Sequence, residues 1–162
     1  MPTTISQRDK ENRSYGEVGH ENPLQVEINQ TFSGDVSISS RVYRTDRRRI
    51  EGIATGAAYA AGDAFGGKFT ISVPPQGTIA TVVFLDYDDE GLTKEFVLFD
   101  RDFAATADNA AFGVSDADLG NCIGVITIDT FKNFDANQIG LATPALSYDV
   151  PSGILYCQVV TR

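Results

Sequence analysis

Four carboxylates and a glycine follow one another closely in the stretch FLDYDDEGLTKEFVLF, residues 84–99. Asp86, Asp88, Glu90 and Gly91 fit the first half of the calcium-loop pattern D-x-[DN]-x-[DN]-G, with Glu90 at a position that the pattern gives to Asp or Asn. The twelfth position holds a valine, so the bidentate glutamate of that loop is missing, and the flanking β-branched and aromatic residues predict strands instead of helices. We therefore predict the acidic turn of a β-hairpin, closed by a positive φ at Gly91. A cation site at Asp86, Asp88 and Glu90 is the alternative.

Other residues that could catalyse a reaction are few. The one histidine, His20, lies in a polar stretch, which gives no support to a Ser-His-Asp hydrolytic triad. Two cysteines and one distant histidine do not complete a tetrahedral zinc site without carboxylates, and no phosphate-binding glycine motif occurs. Carboxylates such as Asp100 and Asp102 leave a glycan-active enzyme as an alternative. The sequence predicts a protein that is not an enzyme and has no cofactor.

A basic cluster stands out in the segment RVYRTDRRR, which contains five arginines and no lysine: Arg41, Arg44, Arg47, Arg48 and Arg49. Arginine forms forked, desolvated pairs with carboxylates, and residues 52–162 hold fourteen acids but five bases. We predict that the cluster contacts an acidic protein surface, such as that of a neighbouring copy of the chain. A solvated loop and a nucleic-acid patch are the alternatives. The net charge of −9 argues against nucleic-acid binding, which requires positive charge.

Residues 1–35 are predicted to form an extended N-terminal arm. Its first part is polar, without an apolar period. The segment LQVEINQ then alternates, with Leu24, Val26 and Ile28 on one side and polar residues on the other, which predicts a one-faced strand. Such a strand can add to the edge of another sheet, so we expect these three apolar residues to contact protein. A floppy tail without a binding role is the alternative.

Residues 36–162 are predicted to form an all-β body, an antiparallel sandwich or jelly-roll-like domain of about seven or eight strands. Short apolar runs such as TIATVVFL, FVLF, CIGVITI and ILYCQVV alternate with turn signals, and these runs are apolar on both faces. The best helix start is SDADLG, where Ser115 caps the helix and Gly120 ends it after about one turn. Gly66 and Gly67 predict a bulge or turn. Cys122 and Cys157 are predicted to be buried free thiols.

No apolar run is long enough to cross a bilayer, which takes about 20 residues. The polar start of the chain also lacks the apolar stretch of a secretion signal. We therefore expect no membrane partner, and synthesis and assembly in a cytoplasm.

Four segments together resemble a group of tailed-bacteriophage virion proteins: AAYAAGDAFGG, GTIATVVFLDYDDEGLTKEFVLFD, ATADNAAFGVSDADLGNCIGVITI and SGILYCQVVTR. The likeness covers residues 53–162 and is most particular at Tyr59–Asp63, Asp108–Asn109 and Ser115–Asp118. Proteins of this group are small and β-rich, and many are assigned to the capsid exterior as cement or decoration proteins. The resemblance implies a structural role and no catalytic residue.

Together these observations predict a capsid decoration protein on the outside of the virion head. Its expected partners are the major capsid protein and itself, as a homotrimer, with neither nucleic acid nor membrane. The alternatives are a tail, collar or fibre-associated module, or a glycan-binding β-sandwich that recognises a receptor.

Overall fold

The regular structure of the described residues is almost entirely β. The computed structural model describes residues 42–54, 56, 58–87 and 91–162. The strands of this part are β1 (Ala64–Ser72), β2 (Gln76–Ile79), β3 (Val82–Asp86), β4 (Lys94–Phe99), β5 (Cys122–Ile128), β6 (Phe131–Asn133), β7 (Gln138–Ala142), β8 (Leu146–Asp149) and β9 (Ile154–Thr161), and the helix is α1 (Asp116–Leu119). The all-β antiparallel prediction is confirmed, with nine strands in place of about seven or eight. The predicted arm and its boundary at residue 35 lie outside the described residues.

Three antiparallel groups of strands build the body. A four-stranded sheet has the order β1-β9-β4-β5, a three-stranded sheet the order β3-β7-β6, and β2 pairs with β8. The last two groups continue one another, because Ile79 pairs with Leu146 and Val82 pairs with Ala142. Three residues of one strand therefore oppose two of the other between these pairs, and Ala145 takes a φ of 49° there. The two groups thus form one layer with a bulge in its ladder.

The main core lies between this layer and the four-stranded sheet. The sheet contributes six buried residues from its β4, β5 and β9: Phe96, Leu98, Ile126, Ile128, Cys157 and Val159. The opposite layer contributes Phe84, whose ring centroid lies 5.9 Å from that of Phe96 and 6.4 Å from that of Phe131, both in edge-on geometry. Apolar side chains from two sheets face each other, as in a sandwich.

The connection between β4 and β5, residues 100–121, covers the other face of the four-stranded sheet. Val97, Phe99 and Val160 are buried beneath it, and the ring of Phe103 stacks on that of Phe99 with centroids 4.0 Å apart. The run FVLF is therefore buried on both faces, as predicted. Helix α1 lies in this connection with the predicted cap, since the Ser115 hydroxyl accepts the N–H of Asp118 at 3.1 Å.

The predicted hairpin around the acidic stretch is wrong. The flanking segments are strands, and Gly91 has the expected positive φ of 67°, but β3 pairs with β7 whereas β4 pairs with β5 and β9. The chain thus crosses from one layer to the other instead of turning back. The physical reason is burial: a strand that is apolar on both faces, such as β4, is most stable in the middle of a covered sheet.

Among the described residues, no helix is both long and apolar enough to span a membrane.

Candidate functional site

Asp108 connects two of the three stretches in which the sequence resemblance is most particular, its own and the one that begins at Tyr59. Its carboxylate accepts the Tyr59 hydroxyl at 2.9 Å, the Gly66 N–H at 2.6 Å and the Ala54 N–H at 2.8 Å. The next residue, Asn109, donates its N–H to the Ala64 carbonyl at 2.9 Å. Asp108 therefore fastens the chain before β1 to β1 itself, which is a structural role.

The predicted irregularity at Gly66 and Gly67 is a bulge in β1, where the register against β9 shifts between Phe65 and Phe69. Gly66 has a φ of 72°, and an added Cβ would lie 2.9 Å from the Glu51 carbonyl oxygen. The N–H of Gly67 also donates to that oxygen at 2.8 Å. The segment around Glu51 thus lies directly across the bulge, and the close approach requires glycine.

Gln158 of β9 also forms hydrogen bonds at the bulge in β1. Its buried side chain accepts the Thr106 N–H at 3.0 Å and donates to the carbonyls of Thr106 and Gly66 at 2.7 and 3.1 Å. The side-chain amide of Gln158 thus bonds both the N–H and the carbonyl of Thr106, as the backbone of a neighbouring strand would. This polar residue in an apolar strand therefore ties the covering connection to the sheet.

The described arginines of the basic cluster lie in an exposed stretch without regular secondary structure. We call residues 44–49 the arginine segment; the side chains of Arg44, Arg47, Arg48 and Arg49 are all exposed. The next residue, Ile50, is half-buried and packs against the core, so the segment ends at a fixed point on the body. Arg41, Leu24, Val26 and Ile28 lie outside the described residues.

The surroundings of the arginine segment leave its charges available. Within the described part of the chain, the ion pairs are Lys68 with Asp102 and Arg162 with Glu95, and neither uses the segment. Burial raises the pKa of Tyr148 of β8, and electrostatic interaction with Tyr43, the residue before the segment, raises it further.

One of the three candidate cation ligands in the acidic stretch has a structural role. Asp86 accepts the side-chain N–H of Gln138 at 2.7 Å, a cross-strand bond between β3 and β7. Asp88 and Glu90 lie outside the described residues. Within the residues the structure describes, no cluster of three or more His, Cys, Asp or Glu could hold a metal ion.

Sequence reasoning missed an exposed apolar surface on the outer face of β3 and β7. Val83 and Leu141 pair directly and are 52% and 56% exposed, and the next pair, Leu85 and Ile139, is half-buried. We call these four residues the apolar strip. The run TIATVVFL was predicted to be a strand from the middle of a sandwich, but it breaks into β2 and β3, and β3 is an edge strand with one face open. Nothing in the local pattern signals that edge position.

The remaining candidates have structural surroundings. Cys122 and Cys157 are free thiols, half-buried and buried, and burial raises the pKa of Cys157 far above its ordinary value. Asp102 accepts from the Lys68 ammonium, which lowers the pKa of that carboxyl, and from the Phe103 N–H at 2.9 Å. Asp100 has one carboxylate oxygen buried without a hydrogen-bond partner in the described part of the chain.

Exposed features that could bind a partner therefore differ in chemistry: the arginine segment is cationic, and the apolar strip is hydrophobic. No protein-family model, curated protein or solved structure matches this chain. Single exposed apolar side chains are ordinary on protein surfaces, whereas adjacent ones such as the apolar strip are candidates for a contact with another macromolecule.

Proposed function

We propose that the protein is a structural component of a bacteriophage virion, a decoration or cement protein that binds the outside of the head shell. The supporting observation is the arginine segment, four exposed guanidinium groups attached to a rigid sandwich by Ile50 and Glu51. The resemblance of residues 53–162 to such virion proteins supports the same proposal. Its partners are the major capsid protein and further copies of itself, as a homotrimer.

Attachment of the arginine segment to the body matters for binding. Ordering a free residue costs about 1–2 kcal/mol in backbone entropy. The contact of Glu51 with Gly67 and the bonds of Asp108 already position the end of the segment, which reduces that cost. Guanidinium groups then pair in forked geometry with carboxylates on the capsid surface.

A decoration protein of this kind stabilises the shell by linkage. It binds the assembled lattice in preference to free subunits, so each bound copy adds binding free energy to the assembled state. The contribution is about 2.7 kcal/mol when the free concentration is about 100 times Kd. The apolar strip supplies a second contact, in which burial of Val83 and Leu141 adds a component that salt does not screen.

Binding to isolated capsids that lack the protein tests the proposal. The triple variant Arg47→Ala, Arg48→Ala, Arg49→Ala should sediment with capsids less than the wild type and with weaker dependence on salt. The matched control removes two exposed cations elsewhere, Arg101→Ala with Lys132→Ala, and should bind as the wild type does. Equal binding and an equal salt profile for all three proteins would reject the role of the arginine segment.

Electron cryo-microscopy of virions tests the location. We expect density for the sandwich at repeated positions on the head lattice, in hundreds of copies per particle. Density confined to the tail, collar or fibres would reject the decoration function.

A further inference from the structure

The two sides of the sandwich are closed to different extents. At the β5 side, the core residues Ile126 and Ile128 are 2% and 0% exposed, although β5 is the last strand of its sheet. This side is closed because β6 follows immediately: Gly140 of β7 lies against both Ile128 and Phe131.

Among the described residues, no further strand covers the opposite side, which is formed by β1 and β3. Core-facing residues on these strands are half-buried where their counterparts on β4 and β9 are buried: Phe69 and Ile71 on β1, and Val82 and Phe84 on β3. The sandwich therefore exposes the rim of its own core along this side. Covering that rim would remove apolar surface from water.

The edge of β3 is suited to accept a further strand. β7 pairs with β3 on one side, and no other described strand pairs with it on the other. Its sequence VVFLD contains no proline, glycine or lysine, the residues that commonly protect an edge, and its one charge, Asp86, bonds Gln138 across the ladder. The edge of β1 is less available, because Glu51 already bonds the bulge at Gly67.

We propose that residues 24–30, LQVEINQ, of a neighbouring copy add as a strand to the free edge of β3. Leu24, Val26 and Ile28 repeat at a spacing of about 7 Å, which equals the spacing of Val82 and Phe84 along β3. In this arrangement the three apolar side chains close the rim, and the polar residues between them face solvent.

The reach and direction of the chain favour a neighbouring copy as the donor. The stretch from residue 30 to Tyr43 spans about 40 Å when extended, enough to cross to an adjacent molecule. The described chain approaches the body through the exposed arginine segment, which has no regular secondary structure. Exchange of an arm between copies is a common route to closed homo-oligomers.

Hydrogen exchange on the full-length protein tests this proposal without capsids. The amides of β3 that point away from β7 should be protected at high protein concentration and should lose protection about tenfold or more on dilution, as the oligomer dissociates in sedimentation. The double variant Val26→Lys, Ile28→Lys should lose the same protection and sediment as a smaller species. The control Gln25→Lys, Asn29→Lys carries the same added charge on the polar side of the strand and should behave as the wild type does.

Two results would overturn the proposal. The first is fast exchange, at every concentration, of the β3 amides that point away from β7, or protection of these amides that Val26→Lys, Ile28→Lys does not change. The second is protection that survives dilution of a monomer, which would assign the edge to the molecule's own chain. Unchanged protection of β4 and β9 shows in each case that the sandwich is folded. The decoration function is tested separately by capsid binding, so either proposal can fail alone.

Discussion

Replacement of Asp108 is the most direct test of how the arginine segment is attached. Its carboxylate holds three donors from residues far apart in the sequence: the N–H groups of Ala54 and Gly66 and the hydroxyl of Tyr59. A hydrogen bond to a charged group contributes about 1.5–3 kcal/mol net. Because the site is partly exposed and water can replace some of these bonds, we expect Asp108→Ala to lower the free energy of unfolding by about 3 kcal/mol.

Two further variants divide this effect. Tyr59→Phe removes one donor and leaves both backbone bonds, so its expected cost is about 1 kcal/mol. Asp108→Asn keeps the shape but presents an NH2 group to one of the donors, and its cost should fall between those of the other two variants. The exposed Asp149, changed to Ala, is the control, with an expected change within about 0.5 kcal/mol.

Urea unfolding with equal m-values measures these differences, and hydrogen exchange locates them. The amides of Ala54 and Gly66 should exchange faster in Asp108→Ala, while those of β4 keep their protection. If the proposed function holds, capsid binding should also weaken, because the chain after the arginine segment loses the bond of Ala54 to Asp108 and keeps only the contacts of Ile50 and Glu51. A stability loss no larger than that of Asp149→Ala would refute the view that Asp108 organises this region.

Three other predictions test the packing and the charges of the body. Gly140→Ala should lower the free energy of unfolding by about 2 kcal/mol, because the added Cβ would lie 2.8 Å from Phe131 and closer still to Ile128. Gly113→Ala, where the added Cβ meets nothing within 4 Å, is the control in the same urea titration. Cys157 should resist alkylation in the native protein and react in urea, whereas the half-buried Cys122 should react faster in the native protein. Equal alkylation rates of the two thiols, measured by mass spectrometry, would contradict the burial of Cys157. Asp102→Asn should lower stability at neutral pH, and its effect should shrink as the solution is acidified, because the ion pair with Lys68 lowers the folded-state pKa of Asp102 and its stabilisation is lost as pH falls through that pKa. An effect independent of pH would contradict the ion pair.

Much of the local structure followed from the sequence, because it depends on neighbours along the chain. The cap at Ser115 and the stop at Gly120 need residues within one helical turn, and both are as predicted. The bulge at Gly66 follows from the freedom of glycine to take a positive φ. The all-β class follows from short apolar runs with β-branched residues between turn signals.

Pairing between strands could not be read in the same way. The run containing β3 and the run of β4 are both apolar, yet one forms an open edge with Val83 and Leu141 exposed and the other lies in the covered centre of a sheet. The acidic stretch between them carries the residues of a hairpin turn, but the chain crosses between layers there. Which strands become neighbours depends on how the whole chain buries its apolar area.

The candidate functional features also differ in whether the sequence alone reveals them. Sequence alone determined the arginine segment, because charge and residue type are visible without a fold. Tertiary structure alone decided the position of Asp108, whose partners lie 42 to 54 residues away, and of Gln158, which bonds a carbonyl 92 residues away. It also decided the apolar strip and the free edge of β3. The physical reason is that hydrogen bonding and exposure are properties of spatial neighbours, and in a sandwich those neighbours come from distant parts of the chain.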